Sequence, residues 1–255
     1  MTTILMSGCC GRMGRAIYNM TKNSENFKIV AGCDVSDNTD GLDFPVYKSI
    51  FDCKEDFDAI IDFSYFKAVP DVCKFAIEKK KPLVLCTTAL DEAALTAADD
   101  LSKVAPLFKS ANMSVGMNVV FELAAQAAKA LYPDFDIEIV EAHHNRKLDA
   151  PSGTAFQLGE AIKSAIPDEM EYIYDRHDRS EARHKNEIGM SAIRGGNIVG
   201  EHEVYFVSDE EIIKITHQCM TREAFARGAL AAAEYIKDKG PGRYSMKDVV
   251  SKAFN

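Results

Sequence analysis

The sequence predicts an α/β protein. Its first half reads as a parallel sheet with helices on both faces, followed by an α+β domain with a mixed, mostly antiparallel sheet. Three observations carry this reading. Up to about residue 115, short apolar runs alternate with segments of helical period, the rhythm of strand–helix–strand units. Beyond that point apolar runs follow one another through short turns, as in an open mixed sheet. At 255 residues, the chain is long enough for one large domain or two modest ones, each with its own core.

Taken in order, residues 3–7 form a buried strand, 8–11 a glycine turn and 12–20 a helix; a second strand over 27–33 ends at Asp34. Further strands are expected at 59–63, 83–87 and 107–110, with helices near 70–79 and 91–101. The second half opens with a helix over 119–130, a strand over 137–142 and a helix over 154–164. Strand-like runs follow at 188–194, 202–207 and 212–217, with Arg194-Gly-Gly-Asn the strongest turn signal. The heavily charged segment 175–187 is expected to be an exposed loop, and Thr221 to cap an alanine-rich helix over 221–236.

Composition sets the class. Hydrophobic residues make up 47% and charged residues 27%, an ordinary globular balance. A net charge of −9 argues against a nucleic-acid partner, and no apolar stretch is long enough to span a membrane. Met1-Thr-Thr-Ile-Leu-Met-Ser runs straight into a strand pattern, without the basic and apolar regions of a leader. The seven cysteines include no CxxC pair and suit free thiols in a reducing cytoplasm; no metal site is expected.

Gly8-Cys9-Cys10-Gly11-Arg12-Met13-Gly14 joins the first strand to the first helix. Glycines at such a turn let backbone approach a pyrophosphate, whose charge meets the helix N-terminus. Asp34, ending the next strand, can bond ribose hydroxyls. The context predicts a Rossmann domain binding NADH or NADPH. Cys10 stands where glycine is commoner, which a small side chain tolerates if its φ is negative. Asp34 repels a 2′-phosphate and Val-Ser-Asp-Asn after it offers no cation, so NADH is expected to serve at least as well as NADPH. Cys86, Thr87 and Thr88, and then Ser110, Ala111, Asn112 and Met113, lie at carboxyl ends of strands, where open α/β sheets bind ligands.

Residues 141–155, Glu-Ala-His-His-Asn-Arg-Lys-Leu-Asp-Ala-Pro-Ser-Gly-Thr-Ala, concentrate polar chemistry. His143 and His144 would point to opposite faces of a strand, a poor metal pair, and Pro-Ser-Gly-Thr is not a nucleophile elbow. Ser152, Gly153 and Thr154 open a helix, a cradle for a carboxylate. His143 or His144 supplies a group titrating near neutrality and Lys147 a cation and proton donor. Arg194 is a candidate for a second carboxylate. Two alternatives stand beside this reading: another Rossmann dehydrogenase acting on an amino-acid precursor, which would not require the histidine–lysine cluster, and a dinucleotide-sensing protein without turnover.

The whole of 141–155 matches the signature Glu-x-His-His-x-x-Lys-x-Asp-Ala-Pro-Ser-Gly-Thr-Ala, and the chain resembles the dihydrodipicolinate (4-hydroxy-tetrahydrodipicolinate) reductases of lysine and diaminopimelate biosynthesis. Similar segments include the turn from Gly8, Asn112-Met-Ser-Val-Gly-Met-Asn118 and residues 188–203. The resemblance implies a dinucleotide-binding domain over 1–114 completed by 223–255. Between them, 115–222 would bind substrate and build a homotetramer. It implies hydride transfer from NAD(P)H to a small dicarboxylate with loss of water. His143 is then the acid/base histidine, Lys147 the proton donor, and His144, Gly153 and Thr154 substrate contacts. Gly8, Cys9, Cys10, Gly11, Arg12, Met13, Asp34, Cys86, Thr87, Thr88, Ser110, Ala111, Asn112 and Met113 match cofactor positions. Members commonly read Gly-Thr-Thr-Gly where this chain has Cys86-Thr-Thr-Ala89, and some carry a base beside the acid at Asp34.

Overall fold

The structure, a computed structural model, describes residues 1–251. It divides into two compact units: Met1–Val115 with the segment from Arg222 onward, and Gly116–Thr221.

The first unit follows from its apolar runs. Strands β1 (Thr2–Ser7), β2 (Phe27–Cys33), β3 (Val46–Tyr47), β4 (Ala59–Asp62), β5 (Leu83–Leu85), β6 (Pro106–Lys109) and, from the far end of the chain, β12 (Gly242–Tyr244) build one sheet in the order β12-β6-β5-β4-β1-β2-β3. Every pairing is parallel, and the central strands are apolar on both faces, as burial on both sides requires. Helix α1 (Arg12–Thr21) shares a core with α6 (Glu223–Ile236) and α7 (Met246–Val250), through Ile17, Tyr18, Ala229, Ala233, Ile236 and Met246. On the other face α2 (Val69–Lys79) and α3 (Glu92–Val104) bury Val72, Phe75, Ala94 and Leu101. Asp91 starts α3 by accepting the amide N–H of Ala94 (2.9 Å). The sheet order reverses direction at β1, placing the glycine turn and the carboxyl ends of β2 and β4 side by side.

Two details differ from expectation. Thr221 does not cap α6. The chain enters that helix through Arg222, already at φ −68° and ψ −12°, and no side chain caps it. Strands β3 and β12 are too short to stand out as apolar runs.

The second unit holds α4 (Val115–Leu131), β7 (Asp136–His143), α5 (Gly153–Lys163), β8 (Glu171–Ile173), β9 (Glu187–Arg194), β10 (Gly200–Val207) and β11 (Ile212–Cys219). Its sheet runs β11-β10-β7-β9-β8. β10 is antiparallel to both β11 and β7, whereas β9 is parallel to β7 and β8. The Arg194-Gly-Gly-Asn turn therefore does not close a hairpin: β7 lies between β9 and β10. One face, with Ile137, Ile139, Ile188, Met190, Val204 and Phe206, shares a core with α4 and α5.

The charged segment is more ordered than a solvated loop. Glu187 is fully buried and accepts from Arg176 (2.6 Å) and Arg179 (3.0 Å), while Arg183 bonds Asp136 (2.9 Å) and Glu138 (3.2 Å). A buried carboxylate demands such partners, and it draws the arginines back onto the sheet.

Candidate active site

In the first unit the turn after β1 is built by exclusion of side chains. Gly8 has φ +78°, and a Cβ there would come within 2.5 Å of the Phe63 carbonyl. At Gly14 a Cβ would meet the Gly8 carbonyl at 2.4 Å, so α1 can lie directly on the turn. No acidic residue occupies the first turn of α1 and no side chain caps it, which leaves its amide end suited to an anion. Cys10 is not among the positive-φ residues, in keeping with the expectation for its place in the turn. Asp34 accepts the Cys10 N–H with Oδ2 (2.8 Å) and the Ser36 N–H with Oδ1 (2.9 Å), tying the end of β2 to the turn.

These residues border a cleft of about 480 Å³ lined by Gly8, Gly11, Asp34, Lys48, Phe63 and Tyr65, among others. A dinucleotide fits this cradle on geometry: a turn that a Cβ would fill, an open helix start and a carboxylate at the neighbouring strand end. Arg12 is exposed and Met13 half-buried at the same helix start.

Two residues here were not found by sequence reasoning. Asp62, at the end of β4, is fully buried and accepts hydroxyl hydrogen bonds from Ser64 (2.6 Å) and Thr87 (2.5 Å). Burial pushes its carboxyl above the usual range, against the pull of those hydroxyls. The available signal was an aspartate closing the run Ala-Ile-Ile-Asp. Lys48, remote in sequence from Asp34, reaches back over its loop to Asp37 (2.6 Å) and the carbonyls of Val35 and Ser36. A cation therefore stands at the loop that follows Asp34.

The other predicted cofactor positions line the carboxyl edge of β5 and β6. Cys86 is buried with its thiol in the core, so it can offer a ligand only its backbone; Thr87 is held by Asp62, and Thr88 is exposed. Ser110 and Asn112 are half-buried, Ala111 exposed and Met113 buried. Ala89 has φ +54°, a left-handed conformation that glycine adopts without strain. Ala89→Gly is expected to stabilise the protein by about 1 kcal/mol, the cost of a left-handed alanine. Denaturant midpoints of the two proteins check this; an unchanged or lower midpoint would contradict it.

The second unit gathers the 141–155 segment around one buried acid. Glu141 lies on β7, 1% exposed. Its Oε2 meets His143 Nδ1 at 2.6 Å, both its oxygens take Arg194 (2.8 and 2.6 Å), and Oε1 accepts the Ser152 N–H (3.0 Å). Burial alone would raise the Glu141 pKa, but the His143 and Arg194 contacts outweigh it and hold the acid at about 2. Arg194 is thereby committed to Glu141 and to the Asp149 carbonyl (2.6 Å), so its expected role toward a second substrate carboxylate is taken over by an internal one.

Ser152 caps α5, accepting the Ala155 N–H (3.2 Å), and lies 3.0 Å from His202 Nε2. Burial first, and then the nearby His143 charge, lower the His202 pKa to about 3. A neutral His202 thus shares a hydrogen bond with the Ser152 hydroxyl through Nε2. His202 is a support that sequence reasoning missed, because it arrives on β10. With Ser152 only 2% exposed, the groups of the turn left to face an anion are the Gly153 and Thr154 amides. A Cβ on Gly153 would meet nothing, so the space before it is open.

Lys147 lies in the loop after β7, its Nζ 2.9 Å from Asp149 Oδ1. Asp149 also receives the Gly153 amide, and these bonds outweigh its partial burial and lower its pKa. An internal carboxylate thus sits between Lys147 and the start of α5. His144, the neighbouring position, is half-buried.

Family models describe both parts of the chain: "Dihydrodipicolinate reductase, N-terminus" matches residues 2–113 and "Dihydrodipicolinate reductase, C-terminus" residues 116–250. The 4-hydroxy-tetrahydrodipicolinate reductase of Caldanaerobacter subterraneus subsp. tengcongensis is 47% identical over 252 residues, 99% of each chain. That of Clostridium tetani is 47% identical over 246 residues, 96% of each. The solved structure of dipicolinate-bound dihydrodipicolinate reductase from Paenisporosarcina sp. TG-14 shares the fold, with a TM-score of 0.78 at 21% identity, covering 98% of this chain and 99% of that one. With both parts matched and full-length relatives at this identity, the chain belongs to the dihydrodipicolinate reductase family.

Proposed function

We propose that this protein is a 4-hydroxy-tetrahydrodipicolinate reductase that uses NADH or NADPH to form tetrahydrodipicolinate and water. The observation that carries the reading is the Glu141-centred cluster, which orients His143 and anchors the start of α5 beside Lys147. The bound dihydronicotinamide supplies the hydride. What remains for the chain is to hold a dicarboxylate and manage protons. Gly153 and Thr154 amides take one carboxylate, displacing Asp149, and the released Lys147 ammonium faces the developing negative charge and donates a proton. Glu141 keeps the His143 Nδ1 proton in place, which turns Nε2 toward substrate as the acid/base atom. His144 joins the substrate contacts.

In the first unit Gly8, Cys9, Cys10, Gly11, Arg12 and Met13 receive the pyrophosphate, Asp34 the ribose, and the edge from Cys86 to Thr88 and Ser110 to Met113 the nicotinamide half. Relatives with the same activity by name support this, and so does the cleft. In the same reading the enzyme works in the cytoplasm as a homotetramer. All seven cysteines are free thiols, which suits a reducing compartment. No helix among the described residues is long and apolar enough to cross a membrane. The sheet face opposite α4 and α5 offers Val140, Glu203 and Tyr205, half-buried, to a second copy.

The test is oxidation of NADH and NADPH, in parallel, with substrate generated in place by condensation of pyruvate with aspartate semialdehyde. Turnover with either nucleotide supports the reading; nucleotide binding without turnover would overturn it. Lys48 gives a sharper expectation. Lys48→Ala should raise KM for NADPH about fivefold more than KM for NADH, the equivalent of about 1 kcal/mol for an exposed charge pair. Equal changes in both would remove Lys48 from the 2′-phosphate.

A further inference from the structure

The glycine turn carries two adjacent thiols beside the residues assigned above to the dinucleotide. Cys9 and Cys10 are adjacent, and their sulfurs lie 3.9 Å apart on the same side of the turn. Asp34 stands over them, and one ligand atom from each of the three lies within 4.8 Å of the others. Two thiolates bound to one tetrahedral zinc-like ion at about 2.3 Å would be about 3.8 Å apart. The sulfur spacing matches that value without any movement. Both Asp34 oxygens already accept one backbone N–H each, and a carboxylate oxygen retains a second lone pair for a cation.

We propose that Cys9, Cys10 and Asp34 form a site for a thiophilic divalent cation of the zinc and cadmium type, occupied in exclusion of the dinucleotide. Binding replaces two thiol protons, M²⁺ + 2 RSH giving M(SR)₂ + 2 H⁺, with no redox change, and water completes the tetrahedron. Cys10 is half-buried and gives the ion its entrance, while Cys9 is 1% exposed. Sulfur packing holds the site in shape: a Cβ on Gly32 would fall 2.6 Å from Cys9 Sγ, so the glycine leaves that sulfur its room. Burial, with the neighbouring Cys10 and Asp34, pushes the Cys9 thiol up. The sequence expectation of no metal site rested on ligand spacing along the chain. Here the third ligand comes from the end of the next strand.

Exclusion follows because Asp34 cannot ligate the ion and bond a ribose at the same time; this part rests on the cofactor reading above. The cation would then throttle reduction when free zinc rises.

Cadmium is the probe, because its thiolate complex has an ultraviolet charge-transfer band. Titrating the metal-free full chain with Cd²⁺ at micromolar protein should develop the band to one equivalent. Cys219→Ser should keep it, and Cys9→Ser/Cys10→Ser should lose it. If the double variant fails to fold by circular dichroism, the half-buried Cys10→Ser alone should weaken Cd²⁺ at least tenfold. Saturating NADH should bleach the band. Absence of the band in the native protein, or its persistence in the cysteine variants, would overturn the site. A band that ignores NADH while the metal-free protein binds NADH by fluorescence would overturn the exclusion. Should NADH fail to bind the metal-free protein, the cofactor reading falls, whereas the cadmium band still reports on the site.

Discussion

Lys147→Ala is expected to lower kcat by roughly a hundred- to ten-thousand-fold, the range for a proton-donating group acting in the transition state. The dissociation constant for NADH should stay within twofold, because Lys147 lies in the second unit and the glycine turn in the first. Stability should change little. Among the described residues Lys147 forms its ion pair with Asp149, whose side chain is 58% exposed and can turn to water. Lys147→Arg separates two roles: it keeps a positive charge but cannot release a proton near neutrality. If kcat recovers in the arginine variant, charge stabilisation carries the effect; if it stays low, proton donation does. An alanine variant with unchanged kcat would remove Lys147 from the chemistry.

The second large effect concerns stability. Glu141→Gln is expected to cost about 3 kcal/mol at neutral pH, the free energy of holding this acid at about 2 rather than its ordinary 4.5. The amide keeps the shape but leaves Arg194, only 19% exposed, without its counter-charge. The sign with pH follows from a depressed folded-state pKa. The ionised acid stabilises the fold fully above about 4.5, and that contribution is lost as pH falls through about 2. The gap between native and variant unfolding free energies should therefore be widest near pH 7 and narrow below pH 4. His202, kept neutral chiefly by burial, adds an acid sensitivity of its own. A gap independent of pH would assign the loss to packing instead.

Legibility in the sequence followed how local each feature is. The β1–turn–α1–β2 unit and the segment from Glu141 to Ala155 are contiguous, so their glycines, acids and histidines announce themselves by spacing. The α5 start was within one residue of its expected position because Ser152 caps it. What stayed hidden is contributed across strands. Asp62 orders Thr87 from the adjacent strand, Lys48 reaches back to Asp37, and His202 meets Ser152 from β10. Arg194 shows the converse error: a cation near a carboxylate site was read as a ligand contact, whereas the buried Glu141 had prior claim on it. The parallel pairing of β7 with β9 was equally out of reach, because a turn signal reports where a chain reverses and not which strand it joins.

The first unit is assembled from both halves of the chain, and this has a consequence during synthesis. Its sheet edge needs β12, and its core needs Ala229, Ala233, Ile236 and Met246, all of which leave the ribosome after Thr221. The second unit is complete once Thr221 has emerged. The inserted unit can therefore mature first, while the earlier-made strands wait with one apolar face unclosed. A nascent chain paused between the two events is the species most in need of a chaperone, and translation speed over the last helices sets how long it persists.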